Sequence, residues 1–366
     1  MGFNCGIVGL PNVGKSALFN ALTATAQAES ANYPFCTIEP NAGRVTVPDS
    51  RLAELATLAG SAEIVPTHLE FVDIAGLVRG ASQGEGLGNK FLSHIREVDA
   101  ICHVLRCFED GGVTHVEGGV DPIHDAEIVE TELLIADLEA IERRFETVEK
   151  RAKGGDKDAR AQLPLLEPVI AVLREGKPAR TADINPDQRK DFNQLQLLTA
   201  KPVLYVCNVD EDAAATGNTH TEAVAQMAAA NGAGVVIVSA EIESQVAQLD
   251  DPAERLEFLE GLGLSDTGLS RVIRAGYDLL RLITFFTVGP KETRAWTVVR
   301  DATAFDAAGR IHTDFQKGFI RAETISFADY IDNSGEQEAK DAGRMRQEGR
   351  DYVVQDGDVM LFRFNV

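Results

Sequence analysis

Two kinds of hydrophobic patterning divide this chain. Short strand-like runs recur at Phe3–Val8, Thr67–Val72, Ala100–Leu105, Pro202–Cys207 and Gly234–Val238. Behind the first of them, Ala17-Leu18-Phe19-Asn20-Ala21-Leu22 has helical character. Strands of this kind that deliver loops at their carboxyl ends predict an α/β fold with a doubly wound sheet. Between them the pattern changes. From Asp125 to Lys150 there is neither proline nor glycine, and Leu134, Leu138, Ile141, Phe145 and Val148 recur at alternating spacings of four and three. Lys153-Gly154-Gly155-Asp156 breaks the run, and Leu165, Val169, Val172 and Leu173 mark a return limb. Two antiparallel helices projecting from the sheet are the natural solution. From about Leu282 onward the chain shows short β-like runs and turns, among them Ala295–Val299 and Val359–Phe364 behind Gly357-Asp358, which fits a small β-grasp module. The expected division is 1–124 with 200–281, an inserted hairpin at 125–199, and a C-terminal module at 282–366.

A chain of 366 residues has room for two or three domains, and 44% hydrophobic with 25% charged residues is ordinary for a globular protein. No apolar stretch approaches the ~20 residues of a membrane span, so no membrane partner is expected. The first strand begins at once, which reads as no signal or transit peptide. Five cysteines without metal-like spacing point to a reducing compartment, and the expected location is cytoplasmic. A formal charge of −22 argues against a protein that coats nucleic acid through its net field, and no DNA partner is expected. A local basic surface could still dock on RNA. The hairpin tip carries one, in Arg143, Arg144, Lys150, Arg151, Lys153, Lys157 and Arg160; a merely solvated face is the alternative.

The chemistry begins at Gly9-Leu10-Pro11-Asn12-Val13-Gly14-Lys15-Ser16, a G-x-x-x-x-G-K-[ST] loop between a strand and a helix. The amides from Asn12 through Val13, Gly14, Lys15, Ser16 and Ala17, with the positive end of the helix, can surround phosphate oxygens. Lys15 would reach the β- and γ-phosphates and the Ser16 hydroxyl would ligate Mg²⁺. Asp73-Ile74-Ala75-Gly76, at a strand end behind such a loop, is the D-x-x-G element of GTPase-like proteins. Asp73 would hold Mg²⁺ through water, and the Gly76 N–H would sense the γ-phosphate. Asn32–Ile38 lies where a first switch loop belongs, with Thr37 as the candidate to close on Mg²⁺; an ordinary loop threonine is the other reading. Gly80, Gly84, Gly86 and Gly88 imply a mobile second switch. The pattern implies a nucleoside triphosphate ligand.

Base choice is read from Asn208-Val209-Asp210-Glu211, followed by Ser239-Ala240-Glu241 after the next strand. Ordinary GTPases use N-K-x-D, whose aspartate accepts two hydrogen bonds from guanine. Here Val209 replaces the lysine and Glu211 the aspartate, and an Asn can pair with N7 and N6 of adenine. The expectation is ATP over GTP. A counter-reading slides Asp210 into the aspartate role.

Together Gly9–Ser16, Asn32–Ile38, Asp73–Ser82, Asn208–Glu211 and His312–Glu323 resemble the Obg-like ATPases of the YchF subfamily, essentially end to end. The resemblance implies a G-domain interrupted by a helical hairpin, a C-terminal TGS domain, ATP hydrolysis and association with ribosomes, through the large subunit or the 70S particle. It also favours His115 as the group that handles the attacking water. The residue after Asp73-Ile74-Ala75-Gly76 is Leu77, where many such hydrolases place a glutamine. His94, His103, Gln83 and a partner-supplied group are the alternatives to His115. In some related G-proteins an asparagine at the Asn12 position helps hold K⁺; a loop-stabilising asparagine is the other reading. Lys317 and Arg321 could contact RNA or help dock the TGS module on the G-domain. Competing functions are a GTPase of ribosome assembly and an adaptor that binds ATP without hydrolysing it.

Overall fold

A computed structural model describes residues 3–30, 41–74, 87–109, 119–249 and 251–365. In chain order the first part comprises β1 (Asn4–Val8), α1 (Lys15–Ser30), β2 (Ala42–Thr46), α2 (Ser50–Ala59), β3 (Glu63–Val65), β4 (His68–Asp73), α3 (Leu87–Glu97) and β5 (Ala100–Arg106). The hairpin follows as α4 (Pro122–Lys153) and α5 (Lys157–Arg174), and α6 (Arg189–Gln194) lies on the way back. Then come β6 (Val203–Asn208), α7 (Thr219–Ala230), β7 (Gly234–Val238), α8 (Ala240–Val246), α9 (Pro252–Gly261) and α10 (Gly268–Leu279). The rest is β8 (Leu282–Val288), β9 (Glu292–Val299), α11 (Ala304–Ile311), α12 (Thr313–Lys317), β10 (Phe319–Ser326), α13 (Phe327–Asp332), α14 (Glu336–Asp341), β11 (Arg346–Glu348) and β12 (Asp358–Phe364).

The first sheet runs β2-β4-β1-β5-β6-β7 and is parallel except for the edge strand β2. Every residue of β5 and β6 is buried, as expected of central strands covered by helices on both faces. The carboxyl ends of β1, β4, β6 and β7 therefore open on one edge, where this class of sheet binds ligands.

The projecting hairpin follows from local signals. Asp121 caps α4 by accepting from the Ile123 and His124 amides, with Pro122 in the first turn. Gly155, at φ 96°, reverses the chain, and Asp156 caps α5. Ile141 and Val148 of the expected seam are buried against Leu165, Val169 and Leu173. At the root, buried Asp137 accepts from the Leu198 and Thr199 amides at 2.9 and 2.7 Å, and from the Thr199 hydroxyl at 2.6 Å. That carboxylate pins to α4 the segment that leads back into β6.

The second sheet runs β11-β10-β12-β8-β9-β3. Its last strand differs from the division expected above, because β3 lies between β2 and β4 in sequence yet pairs with β9. The preceding α2 buries Leu52 and Leu55 against Phe286, Ala295, Ile325, Tyr330 and Val359. Arg51 extends this seam, bonding Asp49 at 2.8 Å and Asp356 at 2.7 Å. Residues 50–65 thus belong by packing to the C-terminal sheet. A three-residue strand has no core of its own, so its partner is decided by what lies alongside it.

Candidate active site

The phosphate loop is held from below and closed to side chains from above. Leu10 and Val13 are buried beneath it in the core. At Gly9 a Cβ would lie 2.6 Å from the Val104 carbonyl oxygen, and at Gly14 2.1 Å from Asn208 Nδ2. Gly14 also sits at φ 92°, so both positions exclude any other residue. Asn12 adopts φ 65°, a left-handed conformation that asparagine tolerates. Lys15 opens α1 half-buried, and Ser16 and Ala17 are exposed beside it. The first turn of α1 contains no acidic side chain, leaving its amides and dipole to an anion.

Asp73 is the final residue of β4, in register with Ile7 of β1, and its amide donates to the Asn41 carbonyl at 2.8 Å. Its Oδ1 is buried without a partner among the described residues. Burial raises the Asp73 carboxyl above its usual range while the Lys15 charge opposes that; burial lowers the Lys15 ammonium while Asp73 opposes it. The Asp73 carboxylate at the end of β4 and the exposed Ser16 hydroxyl at the start of α1 are both hard oxygen donors, a chemistry that fits Mg²⁺.

The base side converges on Asn208. Its Nδ2 donates to the Val13 carbonyl at 3.0 Å, and its Oδ1 accepts from the Ala240 amide at 3.0 Å. The amide expected to face adenine is thus engaged in bracing the phosphate loop against α8. Val209 is buried in the core, and its N–H donates to the Val238 carbonyl. Ser239 is buried, with an Oγ that has no partner among the described residues. Asp210 accepts from the Ala213 amide at 3.0 Å, closing its own turn, which is poor support for it as a guanine reader. Glu211 is exposed, and its Oε1 accepts from Gln245 Nε2 at 2.6 Å. Sequence reasoning missed Gln245, since a half-buried helical glutamine carries no signal of its own. It also missed Glu243, whose buried carboxylate accepts from the Gly268 amide at 2.6 Å and moors α8 to α10.

Thr37, Gly76 and His115, with Leu77 and Gln83, lie outside the described residues. His94 is exposed on α3. His103 is buried in mid-strand, and burial pushes its imidazole down to about 4.

Strand ends arranged in this way belong to a P-loop nucleotide hydrolase. Residues 4–152 match a family model described as a 50S ribosome-binding GTPase. Residues 282–365 match the YchF-GTPase C-terminal model, described as a protein of unknown function. The chain is 56% identical to the Ribosome-binding ATPase YchF of Escherichia coli O157:H7 and 53% identical to that of Bacillus subtilis, in each case over 100% of both chains. The solved Schizosaccharomyces pombe YchF GTPase is 37% identical, with a TM-score of 0.89 over 99% of this chain and 97% of that one. The chain belongs to the YchF family.

Proposed function

We propose that this protein is an Mg²⁺-dependent ATPase of the cytoplasm whose nucleotide state governs its association with ribosomes. The observation that carries the choice of ATP is the base loop. Val209 is committed to the core, and the longer Glu211 stands where a GTPase has aspartate with one oxygen already bound by Gln245, which disfavours the paired guanine contact. Relatives bear both ATPase and GTPase in their names, which makes the base loop the deciding feature.

Lys15 and the amides of the first turn of α1 bind and orient the triphosphate. Asp73 and Ser16, joined by Thr37, would hold Mg²⁺, which offsets charge developing on the phosphates. The Gly76 amide registers the γ-phosphate. His115 orients water and takes its proton, a role the apolar Leu77 cannot fill. Asn12, exposed on the loop at positive φ, would help hold K⁺ beside the phosphates.

For the ribosome we assign the hairpin tip. Arg143, Arg144, Lys150, Arg151, Lys153, Lys157 and Arg160 are all exposed there. Arg151, Lys153 and Arg143 are balanced by Asp156, Glu149 and Glu139 at 2.6, 2.9 and 3.9 Å, and Arg160 donates to the Ala152 carbonyl at 3.0 Å, which leaves Arg144, Lys150 and Lys157 as the cations best placed for RNA phosphates. Lys317, exposed at the end of α12, and Arg321, paired with Glu323 at 3.2 Å, offer a second contact on the TGS module.

Side-by-side titrations with ATP and GTP, and co-sedimentation with ribosomes in ATP, ADP or a non-hydrolysable analogue, test the reading. Tighter binding of GTP would reverse the nucleotide assignment. Sedimentation indifferent to nucleotide would remove the switch.

A further inference from the structure

Helix α8 touches the base loop at two points. Its first residue, Ala240, donates its amide to Asn208 Oδ1, and Gln245 in its last turn donates Nε2 to Glu211 Oε1 at 2.6 Å. The helix is itself fixed from behind, because Glu243 is buried and accepts from the Gly268 and Leu269 amides at the start of α10. Gln245 therefore stands on a rigid support, and the carboxylate it grips is the acidic residue of N-x-x-E.

We infer that Gln245 is a specificity-determining residue: by holding one oxygen of Glu211 toward α8, it leaves the carboxylate a single oxygen to offer the purine. This rests on the reading of Glu211 as the base-facing acid. Guanine presents two adjacent donors, N1–H and the 2-amino group, and an acid that reads it turns both oxygens to the ring. Adenine presents one exocyclic amino group on its Watson–Crick edge, which one oxygen satisfies. A glutamate alone, with three rotatable bonds, could swing both oxygens to the base. Gln245 removes that freedom with a charge-assisted hydrogen bond. Gln245 need not touch the nucleotide; it positions the group that does, and it selects by denying guanine its second acceptor.

The test uses the full-length protein and competition of ATP and GTP against a fluorescent ADP, with Q245M, which keeps the side-chain length and loses the donor, alongside E211A and the double variant. Q245M is expected to lower the ratio of ATP to GTP affinity roughly three- to tenfold, with the double variant no further shifted than E211A alone. If E211A moves the ratio and Q245M does not, Gln245 is a surface contact, and the proposal falls while the ATP assignment stands. If E211A leaves the ratio untouched, the base reading fails and the role of Gln245 goes with it. Additive shifts in the double variant would mean Gln245 acts by another route and would also overturn the proposal. So would an equal loss of affinity for inorganic tripolyphosphate, which has no base, since that would show the phosphate loop itself disturbed.

Discussion

Asn208 and Val13 are 195 residues apart in sequence and joined by a 3.0 Å hydrogen bond from side-chain amide to backbone carbonyl. The same side chain accepts from Ala240, so one buried residue ties the phosphate loop, the end of β6 and the start of α8 together. Asn208→Ala leaves a buried carbonyl and a buried amide without partners. The expected loss is roughly 2–4 kcal/mol of stability, read by denaturant unfolding, with at least about a tenfold weakening of nucleotide binding. Asn208→Asp should fare worse, since a carboxylate cannot donate to the Val13 carbonyl.

Asp73 carries a buried oxygen with no partner among the described residues, an arrangement costly to keep unless another group such as a cation serves it. In Asp73→Asn the Mg²⁺ concentration needed for half-maximal tightening of nucleotide binding should rise about tenfold or more. Fluorescent-nucleotide titrations in Mg²⁺ and in chelator separate this from loss of the phosphate loop. Equal weakening in both would count against Asp73 as a metal-facing group.

The C-terminal sheet should prove inseparable from the first. A fragment ending at residue 281 would expose Leu52 and Leu55 and leave β3 without its neighbour. It is expected to aggregate or to unfold well below the whole protein, as scanning calorimetry would register. Within the full chain, Leu55→Ala should cost about 3 kcal/mol. A fragment as stable as the intact chain would show that the seam contributes little.

His103 gives the protein a pH signature. Burial lowers its imidazole from 6.5 to about 4, so between those values the unfolded chain binds the proton and the folded one does not. Stability contributed by the neutral form is complete above about 6.5 and falls as pH drops toward 4, by about 3 kcal/mol in all. Asp137, Glu243 and Asp358 are raised by burial and act in the opposite sense. The comparison is therefore the difference between wild type and His103→Gln, which should shrink on acidification. A gap that stays constant from pH 7 to 4.5 would contradict it.

Much of this was legible in one dimension. The phosphate loop declares itself because its glycines are required by backbone geometry, which the structure confirms as contacts of 2.6 and 2.1 Å that a Cβ would make at Gly9 and Gly14. The seam of the hairpin is legible because helical periodicity puts Ile141 and Val148 on one face whatever lies beyond it. Asn208 was legible as important, but its task was not. An amide that could pair with adenine on chemistry alone proves to brace two loops, because only in the fold does the Val13 carbonyl come within reach.

The sequence by itself determined the local geometry: which segments are strands or helices, where the chain must turn, and which loop can surround phosphate. These depend on spacings of a few residues and on the steric limits of each residue type. Tertiary structure alone decided that residues 50–65 leave the first sheet for the second, that Glu243 moors α8, and that Gln245 grips Glu211. Each is a contact between segments distant in the chain or of ambiguous local pattern, and is selected by the shape and burial of the surface that meets it.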